Sequence, residues 1–193
     1  PVVAYPDAPW STDWREMIRL NSAGLGMKAE GEALISRIEK DIAEVVAGHP
    51  QLVGKKAMFV THLDATNLSI VNFYTANDSR VKFFADLGLT SPKSVVEATK
   101  PGQFAASVSA EKGDAFDDVD IVVTYGSQPL LDAMRADPLL SRMPAVTNDS
   151  IVMLGRNPLG TASNPTPLSI SWVLKDYADL LASAAGKSAG KSQ

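Results

Sequence analysis

From Leu34 to Val46 the apolar residues Leu34, Ile35, Ile38, Ile42, Val45 and Val46 recur every three or four positions, while Glu30, Arg37, Glu39, Lys40 and Glu44 fall elsewhere. That spacing lays one apolar stripe along a helix. Gly48-His49-Pro50 closes it, since a glycine and a following proline do not continue a helix well. The pattern predicts a helix over Lys28–Ala47, about 30 Å long at ~1.5 Å per residue. Upstream, Pro1–Tyr5 reads as a short extended run broken by Pro6-Asp7-Ala8-Pro9, and Trp10–Asn21 as a turn or two of helix.

Downstream, β-rich runs alternate with helical ones. Strands are predicted at Ala57–Thr61, Ser69–Tyr74, Phe104–Val108, Ile121–Tyr125, Ala145–Thr147 and Ile151–Leu154. Helices are predicted at Arg80–Leu87, capped by Asn77-Asp78-Ser79 and stopped at Gly88, then at Gln128–Arg135 and Pro167–Ala185. Arg156–Pro165 reads as a loop, and Gly186–Gln193 as a frayed tail. Alternation of this kind predicts an α/β fold: a three-layer lobe with a mainly parallel central sheet flanked by helices, preceded by the long helix. The first two strands are joined too closely for a helical crossover, which predicts an antiparallel pair.

Composition narrows the classes of function. The 193 residues suffice for one sizeable domain and carry 45% hydrophobic residues, a globular value. A net charge of −4 argues against binding a nucleic-acid backbone, which needs a basic face. With no cysteine there is no disulfide, thiolate metal site or thiol nucleophile. No apolar run has the ~18 to 20 residues of a membrane helix. Phosphate-binding glycine loops, a nucleophile elbow and an HExxH pair are all missing from the sequence. His49 is expected to be exposed at a helix end, and His62 to be structural although it follows a strand. Asp114, Asp117, Asp118 and Asp120 read as the solvated lead-in to a buried strand rather than as a hard-metal cluster. The three Asn-X-Ser matches at Asn67, Asn77 and Asn148 fit turn and cap chemistry at least as well as glycosylation.

An ordered series of segments carries a resemblance: Pro1-Val-Val-Ala-Tyr5 and Trp14, a long helix, Leu52–Phe59, Phe84–Leu89, Val108-Ser-Ala-Glu111, Asp118–Val122, Pro138–Val146 and Ile151–Leu154. Together these resemble the helix-linked periplasmic substrate-binding proteins of ABC importers, in the iron–siderophore and cobalamin group. The resemblance implies a remnant of the inter-lobe junction at 1–23, a linker helix at 24–48, a C-terminal α/β lobe at 52–185 and a flexible tail at 186–193, with an N-terminal lobe before residue 1. It implies a non-enzymatic binder of a ferric siderophore outside the cytoplasmic membrane, with the iron carried inside its ligand and no cofactor of the protein's own. Any membrane association would come through a lipid anchor absent from this chain. Glu111, in the Ser-x-Glu segment, would dock on arginines of the permease. Ligand contacts would come from guanidinium or ammonium donors and aromatic faces on loops after strand ends. Arg80, Lys82, Tyr125, Arg156 and Asn157 are the chosen candidates, with Ser79, Gly126, Ser127 and Asn164 beside them. Trp10 and Trp14 are expected to pack against the sheet, and Trp172 to be core. Rival readings are a cobalamin or haem binder on the same scaffold, a flavodoxin-like or chelatase-like enzyme domain, and a purely structural interaction module.

Overall fold

The computed structural model describes residues 4–155 and 157–189. Eight α-helices and five strands are present among the described residues. They are α1 (Trp14–Gly24), α2 (Lys28–Ala47), β1 (Ala57–Val60), β2 (Ile70–Tyr74), α3 (Ser79–Asp86), α4 (Lys93–Ala98), β3 (Ala105–Ser109), β4 (Ile121–Tyr125), α5 (Gln128–Ala136), α6 (Pro144–Thr147), β5 (Ile151–Leu154), α7 (Pro158–Ala162) and α8 (Pro167–Ala189). The long helix has the predicted bounds and buries Ile35, Ile38 and Ile42 from its apolar stripe.

One sheet runs in the order β3-β2-β1-β4-β5. β1 pairs in parallel with β4, and β4 with β5. β2 is antiparallel to both β1 and β3. Four strands therefore point one way and β2 the other, so the sheet is mainly parallel and the first two strands pair as expected. β1 and β4 lie at the centre, and Met58, Phe59, Ile121, Val122 and Val123 are fully buried. α8 packs on β4 and β5, α3 on β1, and α2 on both α1 and α8. α1 is tied down by side chains. Trp14 Nε1 and Arg15 Nη1 donate to the two oxygens of Asp86 in α3, each at 2.9 Å, while Arg15 Nε reaches Glu39 of α2 at 2.7 Å. Gly88, at φ +82°, supplies the left-handed residue that ends α3.

Several local expectations are corrected. Ala145–Thr147 is helical: Pro144 stands in the first turn of α6, where its fixed φ favours helix. α7 occupies the middle of the expected Arg156–Pro165 loop, capped by Asn157. α1 begins at Trp14 rather than Trp10. α4 was not expected, because six residues are too few to display a period. α8 continues through Gly186 to Ala189, where fraying was expected. Trp172 is 62% exposed on the outer face of α8 rather than in the core. Trp14 is buried, whereas Trp10 is 54% exposed. Asp118 and Asp120 are not simply solvated. Asp118 accepts from Lys56 Nζ and from the Lys93 amide, and Asp120 accepts from the Lys56 amide, so both pin the start of β1.

His49 joins α2 to α8. Its Nδ1 lies 2.7 Å from the Val45 carbonyl oxygen, and its Nε2 lies 2.8 Å from Asp179 Oδ1. Both partners are acceptors, so only the protonated ring, with two N–H groups, satisfies both. The Val45 carbonyl and then Asp179 raise the His49 pKa above its ordinary 6.5, against the opposing effects of burial and, less, of Lys175. Lys175 and His49 in turn lower that of Asp179. A raised folded-state pKa means that the stabilisation is complete below 6.5 and is lost as pH rises through the folded value. The melting temperature is therefore expected to fall from about pH 6 to about pH 8, and His49→Gln to remove part of that fall. Thermal melts across this range check it; identical slopes in the two proteins would contradict the clamp.

Candidate functional site

Because β2 runs against its neighbours, the ends of β1, β3, β4 and β5 share one edge of the sheet. The loop after β2 opens on the other. At the shared edge, a cleft of about 820 Å³ lies between the segments after β1, β4 and β5. Its walls include His62, Leu63, Tyr125, Ser127, Leu130, Gly155 and Thr161. Gly160 closes α7 down beside it: a Cβ there would stand 2.1 Å from the Gly155 carbonyl oxygen, so no larger residue fits.

A row of rings leads inward from this cleft. His62 stacks on Tyr125 with centroids 4.9 Å apart, Tyr125 lies 5.4 Å from Phe59, and Phe59 lies 5.4 Å from Tyr74. The Arg80 guanidinium sits 3.6 Å from the Tyr74 ring centroid and 5.5 Å from that of Trp10. His62 and Trp10 are exposed, and the members between them are largely buried. A second hollow of about 390 Å³ adjoins the Trp10 end, walled by Tyr5, Met17, Ser79 and Asn164 among others.

Arg80 is held by Asp78. Arg80 Nε donates to Asp78 Oδ1 at 2.8 Å and Nη2 to Oδ2 at 2.7 Å, a bidentate fork. Asp78 Oδ1 also caps α3 by accepting from the Arg80 amide. Burial opposes the Arg80 charge, but the hydrogen bonds and charge of Asp78 outweigh it, with Tyr125 and Tyr74 acting in the same direction, and the guanidinium pKa is raised. Tyr177 of α8 is fully buried, and its hydroxyl has no hydrogen-bond partner among the described residues; burial pushes its phenol up.

Trp10 adopts a left-handed backbone, φ 64°, which is an outlier for a bulky residue. Its carbonyl accepts from the Ser79 amide at 2.9 Å, and Lys82 Nζ donates to the next carbonyl, that of Ser11, at 2.6 Å. These bonds hold the strained backbone of the exposed Trp10 in place.

Of the residues chosen from sequence, the structure brings Tyr125 into the cleft wall and Arg80 behind it. Lys82 faces another hollow, beside Trp14 and Asp86, and serves the Ser11 carbonyl. Asn157 is exposed, its side chain committed to the Gly160 amide at 2.9 Å. Arg156 lies outside the described residues. Gly126 and Ser127 line the cleft; Ser79 and Asn164 meet through Oγ and Oδ1 at 3.4 Å beside Trp10. Glu111 is exposed just past β3, on the edge that carries Tyr125. Three strand spacings separate it from β4, about 14 Å at ~4.8 Å each. Sequence reasoning missed Asp78 and Tyr74 and undervalued His62 and Trp10. The sequence signal for Trp10 was Pro9, which sets an aromatic in a turn just before a helix. Among the described residues no group of three or more His, Asp or Glu could hold a metal ion, and no helix is long and apolar enough to cross a membrane.

An open α/β layer with a ring-lined cleft at its strand ends has the form in which small-molecule sites are commonly found. The chain belongs to the periplasmic binding protein family, which matches residues 1–158. It is similar to the crystal structure of PiaA from Streptococcus pneumoniae TIGR4 in complex with ferrichrome: TM-score 0.90 and 36% identity, covering 97% of this chain and 63% of that one. A second PiaA structure, described as an iron uptake ABC transporter substrate-binding protein, gives a TM-score of 0.87 at 36% identity, covering 97% and 64%. FhuD2 from Staphylococcus aureus with bound ferrioxamine B, at 17% identity, shares the fold with a TM-score of 0.70, covering 90% and 66%. The chain thus spans less than two thirds of the length of the PiaA chains. A search of curated proteins found no match.

Proposed function

We propose that this chain is the C-terminal half of a non-enzymatic substrate-binding protein that captures a ferric siderophore outside the cytoplasmic membrane and delivers it to an ABC importer. The observation that carries this reading is the 36% identity to ferrichrome-bound PiaA, sustained over 97% of the chain. The row from Trp10 to His62 gives it a physical basis. A siderophore already fills the coordination sphere of its iron, so the protein needs ring faces and hydrogen-bond donors rather than metal ligands. In this reading α2 is the link to a second lobe, residues 52–185 form the ligand-holding lobe, and Glu111 meets basic residues of the permease. An exposed rim carboxylate steers encounter and orientation while adding little affinity.

Titration of the chain with ferrichrome, haem and cobalamin, followed by tryptophan fluorescence, tests it. Saturable quenching by the ferric siderophore is expected, weaker than for a protein with both lobes. Glu111→Ala should leave the titration unchanged and reduce import in cells. Saturation by haem or cobalamin alone, or equal loss of binding and import in the variant, would overturn the corresponding part.

A further inference from the structure

Two kinds of polar contact hold α2 in place. Along its length, guanidinium–carboxylate pairs join it to α1: Arg15 Nε meets Glu39 at 2.7 Å and Arg19 Nε meets Glu32 at 2.9 Å. An arginine is always charged, so these contacts do not respond to pH near neutrality. The C-terminal end is different. α2 has no basic residue in its last turn, and the positive charge that suits that end of a helix comes from His49. Histidine is the side chain whose ordinary pKa lies between about pH 5 and 8. Its ring spans two acceptors, the Val45 carbonyl oxygen of α2 at 2.7 Å and Asp179 Oδ1 of α8 at 2.8 Å. Asp179 Oδ2 in turn takes Lys175 Nζ at 3.0 Å. From α8, Asp179 and Lys175 are the charged groups that face the ring. On α2, Glu44 is paired with Lys40, and the turn Pro50–Leu52 carries no ionisable group. That turn follows His49 directly and leads to β1, so the contact sits at the joint through which α2 enters the sheet.

We propose that His49 is a protonation-controlled latch: the charged ring locks the C-terminal end of α2 onto α8 and the neutral ring releases it, so that the joint between α2 and the lobe loosens as pH rises through neutrality. A neutral ring has one N–H, so one of its nitrogens must turn a lone pair towards an oxygen. The latch then loses either the helix end or Asp179. The folded-state pKa of His49 lies above its ordinary value, which puts the locked form on the acid side. A latch is more than a contribution to overall stability: it opens one joint while β4 and the Arg15 and Arg19 contacts stay closed. The latch rests on these contacts alone. Its consequence rests on the reading of α2 as the link to a second lobe, a link that is stiff in acid and freer to bend at alkaline pH.

Hydrogen exchange of the full chain without ligand tests it, with rates corrected for the intrinsic pH dependence of amide exchange. The readout is protection of the His49 and Leu52 amides, which donate to the Val46 and His49 carbonyls, compared with that of Val122 in β4. In the wild type, protection at the joint should fall about threefold or more between about pH 6 and about pH 8. It should stay below that of Val122 throughout, because the joint opens without the lobe unfolding. His49→Gln should remove the fall. Asp179→Asn keeps the contact, since its amide can donate to the neutral ring, and should also remove most of the fall; a residue that served packing alone would leave the slope unmoved. The His49 ring signal, followed by NMR, should titrate above 6.5 in the wild type and lower in Asp179→Asn. Should His49→Gln fail to fold, the ring titration and Asp179→Asn decide. A flat wild-type profile, the same fall in either folded variant, or joint amides as protected as Val122 would overturn the latch and leave the siderophore reading standing. Failure of ferrichrome to bind would overturn that reading and leave the latch standing.

Discussion

Arg80→Ala is expected to cost about 3–5 kcal/mol of stability, out of a typical total of ~5–15 kcal/mol, and to abolish ligand binding. The reason is what the change leaves behind. Asp78 has a fully buried side chain, and its two oxygens take the guanidinium fork at 2.7 and 2.8 Å. Truncating the cation leaves that buried carboxylate without a counter-charge, with the amide of residue 80 as its remaining partner, which costs far more than the pair itself contributes. Arg80→Lys should rescue little, because an ammonium cannot serve both oxygens or stack flat on Tyr74. Urea unfolding checks this, and the double variant Asp78→Asn/Arg80→Gln should recover most of the loss. A deficit under about 1 kcal/mol for Arg80→Ala would mean that the pair is solvated.

Phe59→Ala should come next, with a loss of about 3–5 kcal/mol. Phe59 is fully buried and meets Tyr74, Phe84 and Tyr125 at centroid distances of 5.4, 6.0 and 5.4 Å. Its removal opens a cavity at the point where the row crosses the central strand, so Tyr125 loses its backing and binding should weaken with stability. Phe59→Leu should cost clearly less, since it keeps most of the volume. Denaturation midpoints for the two variants separate the cases; equal losses would point to a specific role of the ring rather than to volume.

Both residues show what a sequence can and cannot convey. The α2 stripe, the buried run Ile121–Tyr125 and the Asp78–Gly88 frame of α3 were legible because each is local: a period, an unbroken apolar run, a cap and a stop. Ala145–Thr147 and α7 were misread because four or five residues carry no period, and the prolines that start them also suit loops. The site was harder still. Arg80 was selected on the premise that loops after strands form one edge, yet β2 is the reversed strand, so its loop opens on the other side. Arg80 reaches Tyr125 only because Tyr74, Phe59 and Tyr125 lie on one face across three strands. Nothing between positions 59 and 125 announces that register. The Asp78–Arg80 fork, two residues apart, was within reach of the sequence, but burial is what turns a helix cap into a charge-neutralising pair.

Hydrogen exchange of the chain with and without ferrichrome tests the central claim most directly. The ligand is expected to protect amides at both exposed ends of the row, around Trp10–Ser11 and His62–Ala65, together with Tyr125–Leu130, while leaving the α1–α2 turn at Leu25–Met27 unchanged. Protection confined to that turn or to the outer face of α8, with none at Trp10, His62 or Tyr125, would contradict the account.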